Sequence, residues 1–187
     1  VIFDSARKNF RNEIYSDYKA NRSDAPDDLI PQFEFIRKSV KAFNLPSIEL
    51  INYEADDLIA TYSEQILNEG AKVTIVSSDK DLMQLYKKNI RIYDPMKNKF
   101  ISNEDINNKF GVNPDKVVDV QALAGDSSDN VPGVPGIGVK TAAELINQFG
   151  NLENLLKNAD KIKQNKRRES LILNKDKAII SKKLVTL

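Results

Sequence analysis

Eight carboxylates fall where chemistry can use them, most of them directly after short apolar runs. Asp4 closes VIFD; Glu54, Asp56 and Asp57 follow SIELINY; Asp79 and Asp81 follow KVTIVSS; Asp126 and Asp129 lie three apart in GDSSDN. If those runs are strands of an open parallel sheet, their carboxyl ends share the rim where such folds hold ligands. Two carboxylates ~6 Å apart repel by roughly 3 kcal/mol at an effective dielectric near 20, so a crowded rim calls for cations. Mg²⁺ or Mn²⁺ with oxygen ligands supplies them, and a pair of such ions suits phosphoryl transfer.

Each acid alone also has a plainer reading. Glu54, Asp56 and Asp57 sit in a helical first turn, where acids gain about 0.3–1 kcal/mol from the dipole. Asp4 can cap a turn, DKD can cap a short helix, and GDSSDN can be a polar loop. Only their combination favours metal chemistry.

The 187-residue chain has no Cys and no His, which excludes zinc sites built on those ligands, cysteine nucleophiles, disulfides and any histidine base. Charged residues make up 29%, mean hydropathy is −0.45, and no apolar run approaches the roughly 18 residues of a spanning helix. No secretory signal is visible, and a reducing cytoplasm is expected. The net charge of +1 hides an asymmetry. Residues 1–131 carry 17 basic against 22 acidic side chains, a net of −5, whereas 132–187 carry 11 against 5, a net of +6. An acidic body with a basic end suits cations on one part and a polyanion on the other.

Two stretches could meet that polyanion. Arg7 to Arg22 holds Arg7, Lys8, Arg11, Lys19 and Arg22 interleaved with Phe10, Tyr15 and Tyr18. DNVPGVPGIGVKTAAEL places Gly133, Gly136 and Gly138 before Lys140 and Thr141. Glycines at a helix start leave N–H groups facing an anion, as a nucleic acid phosphate requires. A plain interhelical turn is the alternative, and the Walker spacing is absent.

These residues need a scaffold. VIFD, SIELI and KVTIVSS read as strands, IRIYD and KFIS as a hairpin around Pro95–Asn98, and 26–43 and 54–70 as helices, with DKDLMQLY a short one. Alternation of strand and helix predicts a mostly parallel sheet with flanking helices. From about residue 102 only helices are expected, with Ser102 as a cap and Ala142, Leu145, Ile146 and Phe149 as a buried stripe. The predicted division is an α/β core over 1–101 and a helical region over 102–187.

FRNEIYSDYKANR, YEADDLIA, SSDKDLMQL and ALAGDSSDNVPGVPGIGVKTA together resemble the 5′-nuclease domain of bacterial DNA polymerase I, in the flap-endonuclease superfamily. The resemblance implies a PIN-like (Rossmann-like) core with a basic arch or clamp at about 7–25, a helix-hairpin-helix DNA-binding element at about 114–149, and a two-metal nuclease acting on DNA 5′ ends, flaps or nicks, including RNA primer ends. It puts Asp4, Glu54 and Asp56 at one metal, with Asp57 close by, and Asp79, Asp81, Asp126 and Asp129 at the other. It puts Arg11, Tyr15, Lys19 and Arg22 in that basic arch, with Lys19 approaching the scissile phosphate, and Lys19 and Arg22 are the expected catalytic pair that neutralises transition-state charge. It makes Gly133, Gly136, Ile137, Gly138, Lys140 and Thr141 a duplex-phosphate hairpin, whose carbonyls bind K⁺ in related proteins.

The family has a further strand upstream of Val1, ending in another metal-site Asp. Its absence here is expected to expose an apolar edge and to bear on activity. A linked polymerase domain and a monomeric state are also expected. The rival readings are a Toprim-like Mg²⁺ domain, which leaves the hairpin glycines unexplained, and a DNA-binding module without catalysis.

Overall fold

The computed structural model describes all 187 residues. One small mixed sheet carries the core: β1 (Val73–Val76), β2 (Ile90–Asp94) and β3 (Lys99–Phe100) in that order. β1 and β2 run parallel with Val73 opposite Ile90, and β3 returns antiparallel through the Pro95–Asn98 turn.

Nine α-helices surround it: α1 (Phe10–Ile14), α2 (Ile30–Ala42), α3 (Ala55–Asn68), α4 (Asn103–Phe110), α5 (Val117–Ala124), α6 (Val139–Phe149), α7 (Leu152–Lys157), α8 (Asn165–Leu173) and α9 (Lys175–Val185). The α/β class with an all-helical second half is as the sequence predicts. Ser102 caps α4 by accepting the Asp105 N–H at 3.0 Å while Asp105 reaches back to Ser102, a reciprocal box. The predicted stripe of α6 is buried at Ala142, Leu145 and Ile146. DKDLMQLY becomes a 3₁₀ turn at Asp81–Leu85.

Two expected strands are reduced to one contact. VIFD and SIELI pair only through a parallel bridge between Ile2 and Ile48. Each has only the other as a neighbour, so no ladder propagates. The outer edge of β1 is likewise unpaired, with Val76 exposed beside a groove lined by Ile2, Ile59, Tyr62 and Ile66. The helix expected from Pro26 begins at Ile30. Pro26 instead closes a turn, its carbonyl accepting from the N–H groups of Leu29 and Ile30, and Pro31 takes the first helical turn, where its missing N–H costs nothing.

One apolar cluster of 25 buried residues joins the strands, through Ile75, Ile90 and Ile92, to the helices, through Ile106, Val120, Leu123 and Ile146. Burial of this kind stabilises by roughly 25 cal/mol per Å² of apolar surface. Its consequence for function is positional. The strands and the α5–α6 connection, through Val134 and Ile137, pack into the same core.

Candidate metal and nucleic-acid site

Seven of the eight predicted carboxylates line a single cleft: Asp4, Glu54, Asp56, Asp79, Asp81, Asp126 and Asp129. They arrive from four places. Asp4 follows the Ile2 bridge and accepts the Ala55 N–H at 2.7 Å, which fixes it at the start of α3. Glu54 is the N-cap of α3 and Asp56 lies in its first turn. Asp79 and Asp81 follow β1, with Asp79 accepting the Asp81 N–H at 2.8 Å. Asp126 and Asp129 come from the loop after α5, where a bridge between Asp126 and Val131 closes a tight turn. No three of these acids converge on one point as their side chains stand.

The charges divide the cleft in two. Lys19 pairs with Glu54 and lies 3.7 Å from Asp129, Arg22 pairs with Asp129, and Lys80 pairs with Asp126. Asp4, Asp56, Asp79 and Asp81 have no ion pair. Burial, then the charges of Asp79, Glu54, Asp4 and Asp81, push the Asp56 carboxyl up to about 7. Burial and Asp79 raise Asp81 as well, against the opposing pull of Lys80 and a Gln121 amide that donates to it at 2.5 Å. Asp126 moves the other way. Burial pushes it up, but the hydrogen bond from Lys80 and the Ser128 N–H outweigh that and hold it below the usual carboxylate range. A half-buried oxygen-rich patch in which Asp56 and Asp81 resist ionising is one that hard divalent cations relieve. Asp4, Glu54, Asp56, Asp79, Asp81, Asp126 and Asp129 offer the oxygen donors such ions take, and holding one requires side chains to turn until three or more come together.

Asp57 does not face the cleft. Its two oxygens take Arg11 Nη1 at 2.7 Å and Nη2 at 2.6 Å, and Oδ2 also accepts the Glu54 N–H at 3.0 Å. With these lone pairs committed, a metal role is replaced by a structural one. Arg11 is the matching correction. Expected to touch DNA, it is fully buried, and its remaining donors go to the Leu184 carbonyl at 2.7 Å and the Thr186 carbonyl at 2.9 Å.

The basic segment does not stand out as an open arch over residues 9–22. It is stapled to the acidic loop: Lys19 N–H donates to the Asp129 carbonyl at 2.9 Å, Asn21 to Ser127 at 2.6 Å, and Asn130 to Asp17 at 2.7 Å. Lys19 adopts a left-handed φ of 56°, a conformation of order 1–3 kcal/mol unfavourable for a non-glycine residue. That turn aims its ammonium into the carboxylates. Tyr15 is half-buried, packed near Tyr18, Val131 and Leu184.

The glycine turn also separates into two roles. Gly136 and Gly138 are exposed, nothing lies within 4 Å of a Cβ built on either, and neither N–H is engaged within the chain. Gly138 is the N-cap of α6, so the first-turn N–H groups, including those of Lys140 and Thr141, face outward with the helix dipole behind them. Gly133 and Ile137 are different. Gly133 is buried, donates its N–H to Ser181 Oγ at 2.9 Å, and sits so close to Gly125 that a Cβ would meet the Gly125 nitrogen at 2.5 Å. Ile137 is buried and its N–H is spent on Val134 at 3.0 Å. Neither can offer an N–H to phosphate; both hold the turn.

Three participants lie outside the predicted site residues: Tyr18, whose hydroxyl donates to Glu54 at 3.0 Å; Gln121; and Lys80. Of these only Lys80 was discoverable, through its place between two candidate ligands.

The fold is an α/β domain with an acidic cleft, joined to a helical region, and comparison with known proteins makes the assignment specific. Residues 1–111 match the family described as 5′-3′ exonuclease, N-terminal resolvase-like domain, and residues 112–187 match its C-terminal SAM fold. The chain belongs to the 5′-3′ exonuclease family. It is 56% identical over its whole length to DNA polymerase I of Rhizobium leguminosarum, of which it spans 18%. It is 43% identical to the 5′-3′ exonuclease of Buchnera aphidicola, over 98% of this chain and 66% of that protein. Among solved structures, T5 5′-exonuclease with bound zinc superposes with a TM-score of 0.87 at 23% identity, covering 99% of this chain and 72% of that one. The Rad2 catalytic core in complex with DNA substrate gives 0.54 at 18%, over 94% and 57%. Both share the fold. No helix is long and apolar enough to cross a membrane.

Proposed function

We propose that the chain hydrolyses phosphodiester bonds at the 5′ ends of DNA, at flaps and nicks, with two Mg²⁺ or Mn²⁺ ions. The observation that carries this is the cleft itself. Seven carboxylates meet there, four without a cation partner, beside two basic side chains that can turn to a phosphate. When bound, divalent ions would supply the Lewis acidity for hydrolysis and neutralise charge.

The chain's own residues do the rest. Asp4, Glu54, Asp56, Asp79, Asp81, Asp126 and Asp129 hold the cations. Lys19 and Arg22 exchange their carboxylate partners for the scissile phosphate and offset the charge that grows in the transition state. Tyr15 stacks on an unpaired base at the mouth. Gly136, Gly138, Lys140 and Thr141 take duplex phosphates on main-chain donors at the start of α6, and carbonyls of the same hairpin take K⁺. Recognition is then of shape and phosphate rather than of base sequence.

The DNA polymerase I relatives support a role beside a linked polymerase domain, at primer ends that include RNA, in a bacterial cytoplasm. The test is a 5′-labelled flap duplex incubated with Mg²⁺, then with chelator. Cleavage near the junction that chelator and Asp79→Ala both abolish supports the proposal. Binding without cleavage, in a chain shown to bind Mg²⁺, refutes it in favour of a non-catalytic DNA-binding module.

A further inference from the structure

Arg11 presents an unusual combination: a guanidinium with none of its surface exposed, one side of the metal cleft on its left hand and the end of a distant helix on its right. Its fork grips both Asp57 oxygens, at 2.7 and 2.6 Å, while its Nε and Nη2 reach the Leu184 and Thr186 carbonyls at the end of α9. Those are carbonyls that a helix end leaves without intrahelical partners. A buried charge with this many matched acceptors is a built junction. One broken partner would leave an uncompensated ion inside the protein.

The junction leads to one functional side chain. Asp57 Oδ2 holds the Glu54 N–H at 3.0 Å, and Arg11 Nη1 lies 3.3 Å from Glu54 Oε2. Tyr18 donates to the same Oε2 at 3.0 Å. Both the backbone and the carboxylate of Glu54 are thereby referenced to Arg11. At its other end, α9 packs on α5, and Ser181 in α9 accepts the Gly133 N–H at 2.9 Å behind the loop that carries Asp126 and Asp129. The guanidinium thus ties the Glu54 edge of the cleft to the helix that backs the Asp126 and Asp129 edge.

We infer that Arg11 and Asp57 are positioning residues that set the cleft's affinity for divalent cations by fixing Glu54, and that neither touches metal or DNA. The inference rests on the metal reading of the cleft proposed above. Partners one step removed from metal ligands typically govern affinity by 10–100-fold. Arg11→Lys keeps the charge but cannot reproduce the bidentate fork.

The experiment is isothermal titration of the 187-residue chain with Mg²⁺ alone, with no DNA, alongside thermal unfolding in chelator. Arg11→Lys is expected to weaken Mg²⁺ binding about tenfold. The control is Asp119→Asn, which disturbs another buried carboxylate, one that holds the Leu152 N–H at 3.2 Å and pairs with Lys182. It should lower the unfolding temperature with Mg²⁺ affinity unchanged. If Arg11→Lys does not fold, the double variant Arg11→Met with Asp57→Leu replaces the pair by apolar volume, an exchange proteins often tolerate. Its Mg²⁺ affinity should fall likewise.

Unchanged Mg²⁺ affinity in a folded variant overturns the inference. So does loss of flap-duplex binding in chelator by Arg11→Lys with Mg²⁺ affinity intact, which would make Arg11 a DNA contact. Failure of the unsubstituted chain to bind Mg²⁺ at all overturns the metal reading instead.

Discussion

Asp56→Asn should make the metal-free protein more stable at pH 8 while removing its activity. The carboxyl has no cation partner, and burial together with Asp79, Glu54, Asp4 and Asp81 lifts it to about 7 from an ordinary 3.8. At ~1.36 kcal/mol per pH unit this displacement corresponds to at most about 4 kcal/mol against the ionised form. Solvent screening in an open cleft reduces the net effect to about 2 kcal/mol. The sign follows from proton linkage: between pH 3.8 and about 7 the folded state binds the proton that the unfolded chain releases, so this group's destabilisation grows as pH rises through that window and is complete above it. Urea unfolding in chelator should show Asp56→Asn ahead by about 2 kcal/mol at pH 8, with the gap closing towards pH 4. Mg²⁺ should stabilise the unsubstituted chain far more than the variant. If the variant is less stable at pH 8, or the gap is independent of pH, the carboxylate is not held against its neighbours' charges and the argument for a cation fails.

The glycine turn predicts opposite outcomes for two neighbouring substitutions. Gly133→Ala, with φ at 58° and its Cβ within 2.5 Å of the Gly125 nitrogen, should cost roughly 1–3 kcal/mol of stability in urea unfolding. Gly138→Val meets open space at an ordinary φ; it should unfold at the normal midpoint yet bind duplex DNA several-fold more weakly in a gel-shift assay, with Mg²⁺ affinity unchanged. Lys140→Ala should lower the slope of log affinity against log salt by about 1, uniformly across DNA sequences. Lys80→Met, by freeing Asp126, should tighten Mg²⁺ binding several-fold in calorimetry; weaker binding would show that Lys80 supports the site instead of competing for it.

The sequence made the acids of the cleft legible because strand ends are local features: an apolar run, then a charge. α3 was legible for the same reason, with the apolar face of Ala55, Leu58, Ile59, Tyr62 and Ile66 and the Gly70 that stops it all lying within one segment. What remained hidden was decided by distant partners. Arg11 lies in a run of basic and aromatic residues, and composition cannot tell a solvated arginine from one buried against α9, 173 residues away. The one nearby cue was the pairing of Asn9 and Asn12 as a reciprocal cap, which marks a helix start at Phe10 and turns the next residue inward. Gly133 and Gly138 look alike in sequence. Only the approach of Gly125 and Ser181 separates the structural glycine from the open one. VIFD and SIELI have strand composition, but a strand exists only through its neighbour, and here each finds a single bridge.

On the proposed function, the electrostatics of the cleft divide it between cations and substrate. Arg11 and Asp57 largely cancel each other at the cleft wall, where Arg11 also lies 3.3 Å from Glu54. Of the seven carboxylates that remain, Glu54, Asp126 and Asp129 are matched by Lys19, Lys80 and Arg22, leaving Asp4, Asp56, Asp79 and Asp81 uncompensated. Two divalent ions carry the four positive charges that would balance those four acids. With those ions the cleft is neutral, so an entering phosphate adds negative charge that Lys19 and Arg22 can meet by turning towards it, and those two side chains lie on the segment stapled to the Asp126–Val131 turn. Substrate charge is thus matched from one edge and metal charge from the other. This is the division required for a phosphodiester to approach a site lined with carboxylates without being repelled.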